Sequence, residues 1–539
     1  MSTPVIETVT TTRRPEVPRE PGGPGTRGSG GRRGNPWLTL AAVAFGVIMV
    51  GLDGTVVAIA NPYIARGLHA SLPDLQWVTN AYLLALAVGL VLGGRLGDRF
   101  GRRLTYLVGV VGFAGFSAAV GLAGSISGVI AFRTLQGLAG ALLLPNTLAL
   151  LRSAFPAEKL NAAVGIWGGS SAVAIAAGPI VGGLLVEHIS WQSVFYLNVP
   201  VGALGLVLGL AVLAESRESS RHRFDLAGLA TLALSLFSLV FGVIKAQTWG
   251  WGSPKTLSLL GASVVIGALF ALVESRVEHP LVPLRLFRDR SVSLGTLTVL
   301  LNFFALFGVL FFVSLYLQSV FGYSPVEAGV RTLPLTTLFV VSSPLGAWLT
   351  GKFGPRVPIA VGLGAVTASL LFLTQLEVHS PYLYLWPPLV GLGLGIGLVV
   401  VASTDAIVGN TPVDDAGLAG GIQSTAVQLG GVLGSSVLGS VLATRVGTVL
   451  VDKLTGAGVP AALAPKFLAA KEIVAQGFAP VPAHTPAPLA AAITEGSHAA
   501  FMSGFHVAMI VGAGVAFAGM LVAPFIRRGA NSGSGPVAP

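Results

Sequence analysis

The chain contains no cysteine among its 539 residues. A disulfide framework, a thiolate metal site and a cysteine nucleophile are therefore excluded. Charged residues are also scarce, at 10% of the chain against about 25% in an ordinary soluble domain. What remains is 53% hydrophobic, with a mean hydropathy of +0.80. Because a soluble fold could not bury so much apolar surface, lipid must be the solvent for most of it.

Histidine is scarce as well, with eight in the chain, and neither an HExxH motif nor a GxSxG nucleophile elbow occurs. We therefore expect no enzyme, no metal site and no cofactor. The nearest approach to an ATP-binding P-loop covers residues 346–353, but it lacks Ser or Thr after Lys352 and lies at a helix end. ATP-driven transport is rejected for this reason.

The charge that is present is mainly basic, with a formal net charge of +10. The basic residues lie in short runs between apolar stretches and form no single patch, so no nucleic-acid partner is predicted. Residues 1–36 are rich in Pro, Gly, Thr and Arg and are too polar for a secretory signal. We expect a disordered cytosolic tail there.

Apolar segments of about 18 to 25 residues recur along the chain. Helices are the suitable conformation at this length, because a spanning strand needs only about ten residues. The sequence therefore predicts an all-α polytopic membrane protein with fourteen transmembrane helices. The predicted spans cover residues 38–61, 76–94, 104–122, 126–150, 162–186, 193–213, 225–245, 257–274, 292–318, 328–350, 357–376, 384–405, 417–443 and 501–526.

Alternate connections between these spans carry most of the basic residues and are predicted to be cytoplasmic. An even number of spans then predicts a cytosolic tail at 527–539, on the same side as the N-terminus. The protein is predicted to lie in a plasma or inner membrane. Residues 444–500, rich in Ala and Pro, are predicted to form an extracytoplasmic loop. The basic residues of the cytoplasmic set are Arg99, Arg102, Arg103, Arg152, Lys159, Arg217, Arg221, Arg223, Arg276, Arg285, Arg288, Arg290, Lys352 and Arg356.

An internal repeat is visible in two connections. RLGDRFGRR at 95–103 resembles WLTGKFGPR at 348–356, with Leu, Phe, Gly and the last Arg in the same frame. Two homologous six-helix bundles, at 37–214 and 291–526, would place these loops at equivalent positions. Residues 215–290 would then hold an inserted helix pair with cytosolic linkers.

The first span carries a carboxylate, Asp53. It lies about 15 residues, or roughly 22 Å of helix, after Leu38 and hence inside the hydrocarbon layer. A charge is costly in free energy there and indicates a functional site. Asp53 is either the main proton-coupling carboxylate or a packing or gating Asp satisfied by a hydroxyl such as that of Thr55.

The connection after the second span contains one further motif, and the fourth span contains another. In the connection, glycines permit a tight turn and Asp98 can accept from a helix N-terminus or an Arg, although its basic residues could serve topology alone. In RTLQG of the fourth span, Arg133 lies among apolar residues and needs a partner; capping of carbonyls is one alternative. The residues of the connection are Gly94, Gly97, Asp98, Arg99, Gly101, Arg102 and Arg103. In the second-half copy Gly351 replaces the Asp, so any latch there should be weaker.

The fifth span contains GPIVGG. The proline frees a backbone carbonyl and can bend the helix, while the glycines form a small-xxx-small packing face. Plain helix packing is the alternative to a functional role. The residues of this motif are Gly178, Pro179, Gly182 and Gly183.

With LDGTVVAIANP at 52–62, these motifs resemble, in kind and in order, those of the major facilitator superfamily. The match is to its fourteen-helix drug:proton antiporter branch, of the QacA/EmrB type, over residues 37–526. The resemblance implies two six-helix bundles with two extra central helices, and proton-driven export of small lipophilic drugs, antibiotics or secondary metabolites by a functional monomer.

The resemblance also implies roles for the motifs. Arg133 would share the proton relay with Asp53, and a contact between the two is a hypothesis. The loop at 94–103 would latch the halves in the outward-facing state, and GPIVGG would mark an antiporter. Importers and uniporters on the same fold, and a sensor built on a degenerate transporter, are the alternatives. The weaker candidates for a substrate cavity are Gln76, Asn80, Trp167 and Asn302.

Overall fold

The computed structural model of this protein describes residues 34–216, 225–277, 280–282, 284–411 and 416–528. Most of the predicted tails at 1–36 and 527–539 lies outside these residues. So do three of the basic residues used to predict topology, Arg217, Arg221 and Arg223.

Thirteen helices of the described chain are long and apolar enough to cross a membrane, and α2 passes as a pair of segments bent by 49°. The prediction of an all-α protein with about fourteen spans is therefore confirmed. The main helices of these spans are α1 Pro36–Leu68, α2 Leu72–Phe100, α3 Arg102–Leu122, α4 Ile126–Ala154, α5 Ala157–His188, α6 Asn198–Val212, α7 Leu226–Trp249, α8 Pro254–Glu274, α9 Arg290–Leu315, α10 Leu333–Phe353, α11 Arg356–Leu373, α12 Trp386–Val408, α13 Ala416–Gly456 and α14 Ala487–Val522.

Local sequence signals explain where several spans begin and end. The side chain of Asn35 accepts from the backbone N–H groups of Trp37 and Leu38, and so caps α1. Ser71 and Asp74 form a capping box at the start of α2. Gly101 separates α2 from α3 with a φ of +114°, a conformation that glycine adopts without a steric penalty.

The last two helices are longer than the predicted spans. α13 continues to Gly456 and α14 begins at Ala487, so both helices extend into the predicted loop at 444–500, and the connection between them covers 457–486. Polar residues after 443 end the apolar run from which the span was predicted, yet one face of α13 stays apolar. Val446, Leu450 and Leu454, at spacings of four, are each 0% exposed, and packing on that face continues the helix beyond the window.

The helix pairing of α1–α6 recurs in α9–α14. α1 packs on α5 and α2 on α4, while α9 packs on α13 and α10 on α12. We call α1–α6 the first bundle and α9–α14 the second bundle. α7 and α8 pack on each other, and α7 also contacts α2 and α13. The end of the molecule where α1 begins is called the near end, and the end where α1 finishes is called the far end.

Candidate functional site

Asp53 lies at the centre of a buried polar network in the first bundle. Its Oδ2 accepts from Arg133 Nη1 at 2.5 Å, and its Oδ1 accepts from Gln136 Nε2 at 2.9 Å. The side chains of Arg133 and Asp53 are 1% and 0% exposed. The contact predicted between them is thus present, and each charge neutralises the other where water is excluded.

Arg133 is fixed by two further kinds of contact. Its Nε donates to the Val78 carbonyl at 3.0 Å, and its guanidinium carbon lies 4.1 Å from the centroid of the Tyr82 ring. A side chain at Gly137, one turn along α4, would overlap the Tyr82 carbonyl. The glycine of RTLQG therefore allows α2 to approach α4 closely enough for Arg133 to reach the carboxylate and the ring together.

The network includes residues that the sequence analysis did not assign. Asn198 Nδ2 donates to Asp53 Oδ1 at 3.3 Å and to Ser117 Oγ at 3.0 Å. A signal existed for Gln136, because it lies three residues after Arg133 and so shares its helix face. Asn198 is a polar residue in a span, but no spacing along the chain indicates that it and Ser117, which belong to α6 and α3, meet Asp53.

The Thr55 hydroxyl does not serve Asp53, as one interpretation of the sequence supposed. It donates to the Ile175 carbonyl of α5 at 3.1 Å. A side chain at Gly178 would overlap this hydroxyl. The first glycine of GPIVGG therefore permits the close contact between α1 and α5.

A cavity of about 20 Å³ lies between the two bundles beside the network, which is room for about one water molecule. Arg133 and Tyr82 line it from the first bundle, and Phe307 and Phe311 line it from the second. The carboxylate of Asp53 lies behind Arg133 and is not in the cavity wall. A drug-sized molecule could enter only if the bundles moved apart.

Three of the four predicted cavity residues are buried in helix contacts in this conformation, and their role in a substrate cavity stays a prediction. Gln76, Asn80 and Asn302 are each 0% exposed. Their amides donate to the Ser435 carbonyl at 2.9 Å, to Ser436 Oγ at 2.8 Å and to the Ile396 carbonyl at 3.3 Å. Without water, an amide between helices bonds to the neighbouring helix. Trp167 is partly buried and donates to Thr147 Oγ1 at 3.0 Å.

Several contacts join the loop at 94–103 to the first bundle and to a residue that follows α6. Asp98 pairs with Arg102 at 2.8 Å, four residues along the sequence. Glu215, after α6, accepts from the backbone N–H of Arg103 at 3.1 Å. A side chain at Gly97 would overlap the amide of Asn146 in α4. Gly97 lies inside α2, so it serves the contact between α2 and α4, and the predicted turn is made at Gly101 alone.

GPIVGG also reaches the second bundle. A Cβ at Gly183 would lie 2.6 Å from the Pro325 carbonyl oxygen, and one at Gly329 would overlap the carbonyl of Pro179. Both contacts join α5 to the short helix Pro325–Arg331, which precedes α10. The motif is thus a packing surface between the bundles at the far end.

Hydrogen bonds to backbone carbonyls also join the bundles at the far end. Pro62 has no N–H, so the Ala58 carbonyl is free of its helical partner and accepts from Ser314 Oγ of α9 at 2.7 Å. Gln318 donates to the adjacent Ile59 carbonyl at 3.2 Å. With the contacts of α2 to α13, these bonds close the far end.

The near end of the same helices is different. A Cβ at Gly165, Gly168 or Gly169 of α5 would meet nothing within 4 Å, and the same is true of Gly420 and Gly421 of α13. α5 is therefore tightly packed at its far end and has open space beside it at its near end.

Comparison with known proteins agrees with this geometry. The sequence profile of the Major Facilitator Superfamily matches residues 43–435. The chain is 49% identical to the tetracenomycin C resistance and export protein of Streptomyces glaucescens, over 95% of this chain and 96% of that protein. It is 40% identical to the multidrug resistance protein Stp of Mycobacterium tuberculosis, over 75% and 76% of the two chains.

Among solved structures, the chain resembles a bacterial homologue of the human lysosomal transporter Spinster in its inward-facing, unoccupied conformation. The TM-score is 0.57 at 19% identity, over 93% of this chain and 99% of that one. At this identity the likeness shows the fold alone.

Proposed function

Because this chain belongs to the Major Facilitator Superfamily, whose members are membrane transporters and not enzymes, we propose that it is a proton-driven antiporter that exports small lipophilic compounds. Export is supported by relatives that are named for resistance and export and that match this chain over most of its length. Proton coupling rests on one observation, the ion pair of Asp53 and Arg133 buried beside the cavity between the bundles.

The coupling is proposed to work through Arg133. While Asp53 is charged, the guanidinium is neutralised and the cavity wall tolerates a lipophilic occupant. When a proton binds Asp53, the guanidinium loses its counter-charge at the cavity wall, which disfavours an apolar or cationic occupant and favours its release. Proton and substrate then compete, as antiport requires.

The near end is assigned to the cytoplasm. Basic residues concentrate in its connections, among them Arg99, Arg103, Lys352 and Arg356, and such residues mark the cytoplasmic side. The conformation described here would then face the cytoplasm, with both termini on that side of the cell membrane. The bundles at 37–214 and 291–526 would rock against each other in a functional monomer, driven by the proton gradient and without a cofactor.

Everted membrane vesicles test this proposal. They are given a panel of lipophilic dyes and antibiotics under an imposed pH gradient, with and without a protonophore. We expect gradient-dependent uptake by the wild type and none by Asp53→Asn, because an amide cannot carry the proton. The matched control is Glu377→Gln, an exposed carboxylate of the far end, which should transport like the wild type. Transport by the wild type that does not depend on the pH gradient would contradict antiport and favour a uniporter or an importer.

A further inference from the structure

Two carboxylates meet at the near end of α7 and α8, which we call the inserted pair. Asp225 caps α7, where its Oδ1 accepts from the N–H of Gly228 at 2.7 Å. Glu274 ends α8, and its Oε2 accepts from the N–H of Val282 at 3.1 Å. They are 8% and 3% exposed. A Cβ at Gly228 would overlap Asp225 Oδ2 and Glu274 Oε1 together, so these two oxygens face the same small space.

Among the described residues, Arg95 is a cation close to this pair. Its Nη2 donates to the Pro280 carbonyl at 2.5 Å, and Val282, two residues further along, donates to Glu274, so the same short segment after α8 contacts both Arg95 and a carboxylate. Two neighbouring buried carboxylates repel each other, and removal of their cation would leave that charge uncompensated. While the carboxylates stay buried, moving Arg95 away from them is therefore costly in free energy.

Arg95 belongs to the loop at 94–103 and to the bent part of α2. The segment Leu92–Phe100 is turned by 49° from Leu72–Leu90. On its other side it contacts α4, where Asn146 Nδ2 donates to the Gly93 carbonyl at 3.0 Å. The bent segment therefore lies between α4 and the inserted pair.

The inserted pair is also placed to respond to movement of the bundles. α7 contacts α2 of the first bundle, where the Trp77 ring lies 5.7 Å from the ring of Phe237 and 6.1 Å from that of Phe241. α7 contacts α13 of the second bundle as well. When α2 and α13 separate, α7 cannot keep both contacts unchanged.

We propose that α7 and α8 form a clasp in which Asp225 and Glu274 hold Arg95, and with it the loop at 94–103, in the conformation that is closed at the far end. This inference rests on the proposed alternating access and adds a positioning role for the inserted helices. Opening of the far end requires the clasp to release or shift Arg95. Loss of the clasp therefore favours the far-end-open conformation.

A single cysteine can report this equilibrium, because the chain has none of its own. Ser436 is 0% exposed between α2 and α13, so Ser436→Cys reacts with a membrane-impermeant maleimide only when the far end opens. In this background we expect Glu274→Gln and Arg95→Gln each to raise the labelling rate about threefold to tenfold, the size typical of mutations in a coupling network. Glu377→Gln is again the matched control and should leave the rate unchanged.

Two more variants separate a clasp from lost packing. The exchange Arg95→Glu with Glu274→Arg should return the labelling rate towards that of the parent. Gly228→Ala keeps every charge and favours the helix, yet it displaces both carboxylates and should also raise the rate. Unchanged labelling in Glu274→Gln, Arg95→Gln and Gly228→Ala, in protein that still exports, would overturn the clasp and leave the export function intact. Absence of gradient-driven export by the wild type would instead overturn the proposed function.

Discussion

The two bundles share their helix pairing but differ in the polar groups that they bury. The first bundle encloses the charged pair of Asp53 and Arg133. In the corresponding helices of the second bundle, the fully buried polar groups among the described residues are neutral: the hydroxyl oxygens of Thr298 and Ser403 lie 2.9 Å apart, and Asn302 donates to a carbonyl. Neutral groups suffice to hold such a bundle together. A charge in hydrocarbon is costly in free energy and therefore indicates a function beyond packing. We propose that the first bundle carries the proton and that the second bundle lines the cavity and moves relative to the first.

The largest expected difference between the bundles is in stability. Arg133→Met should lower the free energy of unfolding by about 3–5 kcal/mol, because Asp53 is left buried without a partner. Ser403→Ala, in the second bundle, should lower it by only about 0.6 kcal/mol. Thermal unfolding in detergent measures both. The double variant Asp53→Leu with Arg133→Met should regain most of the stability without regaining export; equal losses in Arg133→Met and Ser403→Ala would remove the distinction between the bundles.

A second difference concerns the amides. Gln136→Leu removes a hydrogen bond to a charged carboxylate and should reduce stability by about 1.5–3 kcal/mol. Asn302→Leu removes a 3.3 Å bond to a carbonyl and should reduce it by about 1 kcal/mol or less. The same unfolding experiment ranks them. If Asn302→Leu lowered the stability more than Gln136→Leu, the second bundle would contain an important polar site even though its buried polar groups are neutral.

The contact between the bundles can be tested with two glycines of α5. Gly183→Ala would push on the Pro325 carbonyl and should weaken far-end closure by about 1–3 kcal/mol, a typical cost of overpacking. Gly168→Ala meets open space and should not change closure. Labelling of Ser436→Cys should therefore rise in the first variant alone, and a similar rise in both would show a general effect on α5.

The smallest expected effect is on the hydrogen bond of the carbonyl freed by Pro62. Ser314→Ala should weaken closure of the far end by about 0.6 kcal/mol, the mean value for such bonds between membrane helices. Pro62→Ala restores a helical N–H for the Ala58 carbonyl and should act in the same direction. Faster labelling of Ser436→Cys is the expected result. Slower labelling in Ser314→Ala would mean that this bond opposes closure.

Local signals predicted much of the fold and part of the candidate site. Apolar length indicated fourteen spans, and an isolated charge in each of two spans indicated Asp53 and Arg133. The same signals placed the end of α13 near 443 instead of Gly456, because the helix continues through packing on one face. They also offered Gln76, Asn80 and Asn302 as cavity residues, since polar residues of a cavity and of a helix interface follow the same pattern in sequence.

The inserted pair shows this limit most clearly. Asp225 and Glu274 lie close to the ends of apolar runs, where a charged residue normally meets water. Their burial, at 8% and 3% exposure, depends on tertiary contacts such as those of Val282 with Glu274 and of Pro280 with Arg95. No spacing along the chain indicates that three residues, numbered 95, 225 and 274, meet at one place.

The sequence by itself determined that this chain crosses a membrane many times, because long apolar runs with so few charges can be solvated only by lipid. It also determined which charges lie where lipid would exclude them. Only the tertiary structure decided which groups pair and which end of the bundles is closed. Arg133 and Asp53 are 80 residues apart and Asn80 and Ser436 are 356 apart, and contacts at such separations depend on how the helices pack against one another.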